Sequence, residues 1–149
     1  TQNVDNLQEK AGSTKIIHLH GELFKSRSTI DETLIYDLPG WELNLGDRCE
    51  KSSQLRPHIV WFGEMVPMMD MAIQETISAD IFVVIGTSLV VYPAAGLMDY
   101  VPENSLIFIV DPNIPDRVNR TNVQIIQEKA SSGMEKLKEH LLRLNPLQL

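Results

Sequence analysis

The chain has 149 residues, which suits one domain, and 43% of them are hydrophobic, enough to build a core and to exclude general disorder. Thirteen Lys and Arg against twenty Asp and Glu leave a net charge of −7, which argues against binding nucleic acid or an anionic membrane through overall charge. A single cysteine excludes an internal disulfide framework and a zinc site made of four cysteines, and no apolar run is long enough to span a bilayer.

In chain order, the first apolar run is Ile16 to Leu19, which predicts a short strand closed by His20-Gly21. Ile59 to Phe62 follows Arg56-Pro57 and predicts a second strand. Met69, Ile73 and Ile77 recur at helical spacing and predict a helix between Met65 and Ala79. Ile81 to Ile85 is a continuous run, as expected of a strand buried on both faces. Pro93 to Tyr100 can start a helix after Gly86-Thr87-Ser88. Leu106 to Val110 is a further buried strand, and Val123 to Ile126 a weaker one. The last helix has the best stripe: Met134, Leu137, Leu141 and Leu144, with Ser132 and Glu135 fitting a capping box and Pro146 as the stop.

Strands and helix-sized segments alternate between 59 and 126, which predicts an α/β chain with half of a doubly wound, Rossmann-like parallel sheet. Residues 24–56 differ, with Pro39-Gly40, Gly46-Asp47 and little periodicity. They read as a small insertion module or long loop. The expected organisation is one domain from 1–23 and 57–149, interrupted by 24–56.

Gly86-Thr87-Ser88 stands where an α/β sheet binds nucleotide, after a buried strand and before a helix. An ordinary turn explains the same residues. The next strand ends at Asp111, whose carboxylate is suited to accept from ribose hydroxyls, and equally to close a turn through Asp111-Pro112-Asn113. His20 precedes Gly21 at a strand end, where an imidazole can face a cleft and serve as a general base. A hydrogen-bonded strand-end histidine is the plain alternative. Metal binding by His18 and His20 is disfavoured, because their sequence neighbours supply no further ligands. Thr1 to Asp5 groups short polar side chains, readable as a helix cap or a binding loop. Cys49 has Ser52 where a zinc knuckle needs a second thiol, so a lone thiol is the favoured reading.

Together, and in this order, these pieces resemble the sirtuin family of NAD-dependent protein lysine deacylases, in its bacterial branch. Thr1-Gln2-Asn3-Val4-Asp5-Asn6-Leu7 with Ala11-Gly12-Ser13 is similar to one family signature. Leu19-His20-Gly21 is similar to its catalytic L-H-G, and Leu55 to Glu64 to its LRPxVVxFGE. Ala79-Asp80, Gly86-Thr87-Ser88 and Val91-Tyr92-Pro93-Ala94 resemble its AD…GTSxxVxPA. No one of these pieces is decisive, whereas the ordered set is highly specific.

The resemblance implies roles. His20 would be the catalytic base toward a ribose hydroxyl, with Asn3 as a catalytic partner. Gln2, Asn3, Val4 and Asp5 would line the nicotinamide side of NAD. Gly86, Thr87, Ser88, Asp111, Lys129 and Ala130 would hold the adenosine side. Val60, Trp61, Phe62, Gly63 and Glu64 would pair with an acyl-lysine peptide as an added strand. The implied reaction removes an acetyl or an acidic acyl group such as succinyl, and yields nicotinamide and O-acyl-ADP-ribose. An ADP-ribosyltransferase, or a non-catalytic module binding nucleotide or acyl peptide, are the alternatives on the same scaffold. A cytoplasmic protein is expected, with neither nucleic acid nor membrane as partner.

The sequence departs from the family pattern twice. Of the four cysteines usual in the family's zinc module, Cys49 fits the third place, Ser52 the fourth, and Ser28 lies near the first. No structural metal is expected, and Leu34, Ile35, Tyr36, Trp41, Leu43 and Leu45 are expected to fold the segment by packing. The chain also starts at Thr1, beyond the place of the family's phosphate loop, so it reads as a C-terminal portion with little or no activity alone.

Overall fold

The first helical turn is set by Asp5, whose carboxylate accepts the Leu7 N–H at 3.0 Å ahead of α1 (Leu7–Lys10). The structure, a computed structural model, describes residues 1–113, 118 and 120–144, so the predicted stop at Pro146 lies outside the described residues. They divide into two units, Thr1–Met69 and Asp70–Leu149.

The first unit is built on an antiparallel sheet of order β2-β1-β3, formed by β1 (Gly21–Ser28), β2 (Ile35–Asp37) and β3 (Leu55–Ile59). Two sequence expectations are corrected here. Ile16 to Leu19 is not a strand; it lies along the chain's first residues, with Thr1 N donating to Ile17 O at 2.7 Å and Leu19 N to Thr1 O at 3.0 Å. Of the run predicted at Ile59 to Phe62 only Ile59 is strand, as the last residue of a strand that starts at Leu55 and pairs with β1, outside the parallel sheet; Val60 to Phe62 lie beyond it. Pro57 is tolerated there because β3 is an edge strand, where a missing N–H interrupts no inner ladder.

Gly21 makes the β1–β3 approach possible. Its φ is +84°, and a Cβ placed on it would stand 2.0 Å from the His58 carbonyl oxygen. Only a residue without a side chain fits both conditions.

Residues 24–56 contain regular structure, namely most of β1, the whole of β2 and the first two residues of β3. Their packing also differs from expectation. Trp41 and Leu45 are almost fully exposed and Ile35 is exposed, whereas Leu34, Tyr36 and Leu43 are half-buried. Polar contacts hold the segment instead: Lys51 to Asp31 at 2.7 Å, Thr29 to Ser53 at 2.5 Å, Cys49 Sγ to Ser28 Oγ at 3.4 Å, and Tyr36 to Glu50.

In the second unit, α2 (Met69–Ile77) lies within the predicted range, but buries Ala72 and Thr76 and leaves Ile77 exposed. Then β4 (Ile81–Ile85), β5 (Leu106–Val110) and β6 (Val123–Ile126) form a parallel sheet in that order, at the predicted bounds. This is the Rossmann-like part of the α/β fold. The central place of β5 explains its continuous apolar run. Ile107 and Ile109 join Val84, Met98 and Val101 in one cluster, and Phe108 and Val110 join Ile126 and Leu137 in another. Each of these β5 residues contributes about 1.5–3 kcal/mol by leaving water. The segment after β4 forms a 3-10 helix over Ala94–Tyr100, burying Ala94, Ala95 and Met98.

The last helix, α3 (Ala130–Arg143), packs on β5 and β6 through Gly133, Leu137 and Leu141. A Cβ on Gly133 would lie 2.3 Å from Val110 Cγ1, so a glycine sets how close the helix comes to the sheet. The predicted stripe is therefore shifted by one position at its start: Met134 is exposed. The capping box is absent too. The N-cap is Lys129, and the Ser132 hydroxyl turns back to Glu128 at 2.8 Å.

Candidate functional site

In the first unit, the residues from Thr1 to Asp5 run beside Ile17 to Leu23. Leu23 N donates to Val4 O at 2.7 Å, and the His20 ring donates from Nδ1 to Gln2 O at 3.1 Å. A carbonyl oxygen only accepts, so this contact places the proton on Nδ1 and leaves the Nε2 lone pair available in the neutral ring. His20 is half-buried. Gln2 and Val4 are thus held beside His20 and Leu23 by backbone contacts, with Asn3 between them and Asp5 next in the chain.

His18 is tied to the same segment. Its Nδ1 lies 3.4 Å from Asn3 O and its Nε2 2.6 Å from Glu9 Oε1. The His18 hydrogen bond holds the Glu9 carboxyl below its usual range. Glu9, His18 and Glu22 place donor atoms within 4.8 Å of one another. The fold brings Glu9 back to the His18 ring, whereas Glu22 stands only two residues after His20 in the sequence. Glu22 also bonds Lys25 at 3.0 Å, so the group is already charge-paired.

The predicted peptide-binding segment follows β3. Val60 N donates to His20 O at 3.0 Å, which couples the segment to the histidine. Trp61 to Glu64 then form a tight turn, with Glu64 N donating to Trp61 O at 3.0 Å and Gly63 at φ +88° as the turn requires. Phe62 is fully exposed at its tip. The Glu64 side chain turns inward. It accepts from Arg56 at 2.5 and 3.2 Å, from Arg27 at 3.2 Å and from the Trp61 N–H at 2.9 Å. Arg56 is the main reason its carboxyl titrates below the usual range. Arg27 and Arg56 were not singled out from the sequence. Two arginines in register on paired strands, Arg27 opposite Arg56, are the signal that could have found them.

A cavity of about 220 Å³ opens in this unit beside Leu19, Gly21 and Val60, and is lined also by Arg27, His58 and Met68. Burial, and then the Arg27 charge, push the His58 imidazole below its ordinary value.

In the second unit, the register Ile85–Val110–Ile126 aligns the ends of the three parallel strands. Gly86, Asp111 and Gln127 are the next residues, so the predicted adenosine-side groups share the carboxyl edge of one sheet, with Lys129 and Ala130 opening α3. Gly86 has φ +62° and open space where a Cβ would stand. Thr87 Oγ1 accepts the Leu89 N–H at 3.4 Å, and Ser88 is exposed. The N-cap residue Lys129 makes no side-chain bond to the first turn of α3, which begins four residues after the end of β6. Asp111 is buried, and its Oδ1 accepts the Asn113 N–H at 2.8 Å. Asp111 therefore closes a turn over Asp111-Pro112-Asn113.

A structural zinc ion, which the family pattern implies, does not fit the donors present. Ser28 accepts the N–H groups of Ile30 and Asp31 at 3.2 and 3.3 Å and is bonded by Cys49. Asp31 is held by Lys51, and Ser52 is exposed with φ +60°. One thiol beside two hydroxyls and an ammonium-paired carboxylate is not a tetrahedral N/S set.

The profile of the Sir2 family matches residues 1–93, and the chain belongs to that family. It is 47% identical over 147 residues to a protein of Bacteroides thetaiotaomicron named NAD-dependent protein deacylase, covering 95% of this chain and 63% of the relative. It is 47% identical over 146 residues to a Helicobacter pylori protein of the same name, covering 97% of this chain and 62% of the relative. The chain thus spans less than two thirds of the length of these relatives. Among solved structures it resembles a Sir2 homolog–NAD complex, with TM-score 0.81 and 36% identity over 95% of this chain and 57% of that one. It also resembles a structure described as Sir2-p53 peptide-NAD+, with TM-score 0.72 and 27% identity over 95% of this chain and 62% of that one. Among the described residues, no helix is long and apolar enough to cross a membrane.

Proposed function

We propose that this chain carries the base, the peptide-binding edge and the adenosine-side edge of an NAD-dependent protein lysine deacylase. The observation that carries the reading is the His20–Gln2 contact, which fixes an imidazole with Nε2 free beside a segment of short polar side chains. NAD, when bound, supplies a ribose carbon whose leaving group is nicotinamide. The chain's residues supply the rest. His20 Nε2 takes a proton from a ribose hydroxyl, and Nδ1 stays anchored on Gln2. Asn3 and Asp5 offer polar groups toward the nicotinamide side. Gly86, Thr87, Ser88 and Asp111 line the sheet edge for adenosine, and the uncapped first turn at Lys129 and Ala130 offers N–H donors. Val60 and the exposed face of the turn at Trp61, Phe62 and Gly63 receive the acyl-lysine peptide. The names of the relatives and the descriptions of the solved neighbours support the same cofactor and substrate class.

The test is product analysis. The protein carrying this sequence is incubated with NAD and acetyl- or succinyl-lysine peptides and followed by mass spectrometry. Equal amounts of deacylated peptide, nicotinamide and O-acyl-ADP-ribose are expected. Transfer of labelled ADP-ribose to protein with the acyl groups intact would identify a transferase. Binding of nucleotide and peptide without turnover would identify a non-catalytic module.

A further inference from the structure

We infer that Glu64 is a positioning residue, which holds the Trp61–Glu64 turn in one conformation and makes no contact with the peptide. The inference rests on the proposed function for its substrate and deepens it. It reassigns a residue that the motif alone placed in the peptide-binding edge.

The geometry uses both carboxylate oxygens inward. Oε1 accepts from Arg56 Nη1 at 2.5 Å, and Oε2 from Arg56 Nη2 at 3.2 Å, so the pair is two-pronged. Oε2 also accepts from Arg27 Nη2 at 3.2 Å and from the Trp61 N–H at 2.9 Å. That last bond closes the turn from its side-chain end, while Glu64 N to Trp61 O at 3.0 Å closes it through the backbone. Four donor bonds on one carboxylate leave little acceptor capacity for a ligand.

The arginines show what the clamp is fixed to. Arg27 lies in β1 and its side chain is 5% exposed, so its charge needs a carboxylate partner; Glu64 at 3.2 Å is nearer than the exposed Glu32 at 3.8 Å. Arg56 lies opposite Arg27 in β3 and also donates to Ile59 O at 3.3 Å, next to Val60. The turn is thereby bolted to two paired strands. Trp61 and Phe62 stay exposed on a backbone that is already ordered, which lowers the entropy lost when a peptide adds to it.

The experiment compares Glu64→Gln and Glu64→Ala with the unaltered protein in two readouts. The first is amide hydrogen exchange of the Trp61 N–H at a temperature where all three proteins are folded. Exchange at least about tenfold faster in Glu64→Ala is expected, with Glu64→Gln between, since its amide oxygen still accepts. The second is steady-state kinetics with two acyl-lysine peptides, one flanked by Arg and one by Ala. KM for both peptides should rise by the same factor, about tenfold, while kcat and KM for NAD stay within about twofold. Unchanged exchange at Trp61 overturns the inference. So does a KM effect confined to the Arg-flanked peptide, which would show a direct charge contact. If the unaltered protein consumes neither peptide, the functional reading fails, and the exchange result still decides whether Glu64 holds the turn.

Discussion

His20 Nδ1 stands 3.1 Å from the main-chain oxygen of Gln2, so the ring's hydrogen-bonding direction is set by backbone and not by a neighbouring acid. The neutral ring should therefore carry its proton on Nδ1. Nitrogen-15 NMR of the neutral imidazole is expected to show a protonated Nδ1 and a bare Nε2. A dominant Nε2–H tautomer would contradict the assignment of Nε2 as the base.

Gly21 follows that histidine directly, at φ +84° and under the His58 carbonyl. Gly21→Ala combines a left-handed backbone with a clash against main chain, which has no flexible side chain to yield. Chemical denaturation should show a loss of about 3 kcal/mol. A loss under about 0.5 kcal/mol, the scale of an ordinary surface change, would mean that the β1–β3 approach is not as described.

Gly133 plays the matching part in the second unit, where its missing Cβ admits Val110. Gly133→Ala should cost about 2 kcal/mol by overpacking. Val110→Ala alone should also destabilise, because Val110 is fully buried. The double variant should be more stable than the sum of the two losses by about 1 kcal/mol, since each relieves the other. Simple additivity in a double-mutant cycle would contradict direct contact.

Between β1 and β3, Lys51 sits on Asp31 and, as the largest cause, lowers its carboxyl to about 2. A carboxylate depressed in the folded state stabilises above its unfolded value, and that stability is lost as pH falls through the folded one. Asp31→Asn should thus lower the melting temperature near neutral pH. The gap to the unaltered protein should close as pH drops from 3.8 toward 2. A zinc chelator should leave the melting temperature unchanged at neutral pH. One equivalent of co-purifying zinc whose removal lowers Tm would overturn the donor argument.

The parallel sheet was legible because β4, β5 and β6 are local runs whose burial needs no information from elsewhere in the chain. Gly86 and Asp111 could be placed from the same runs, as the residues that follow them. The antiparallel sheet was not legible. β1 reads Gly-Glu-Leu-Phe-Lys-Ser-Arg-Ser, and its buried Arg27 makes sense only once Glu64, far along the chain, is beside it. Glu9 over His18 and Gln2 under His20 are likewise products of long-range pairing. The α3 stripe was read one residue off because a glycine, which carries no apolar signal, occupies the closest point of contact. The capping box failed because Lys129 is the N-cap and Ser132 is already inside the helix.

The role proposed for His20 is proton transfer in NAD-dependent deacylation of acyl-lysine. The most direct measurement compares His20→Ala with the unaltered protein in kcat for peptide deacylation and in affinity for ADP-ribose. Removal of a general base should lower kcat by about 100- to 10,000-fold. Affinity for ADP-ribose should hold within about twofold, because the proposed adenosine edge lies in other residues. Deacylation that survives His20→Ala within about tenfold, with ADP-ribose still bound, would contradict the account.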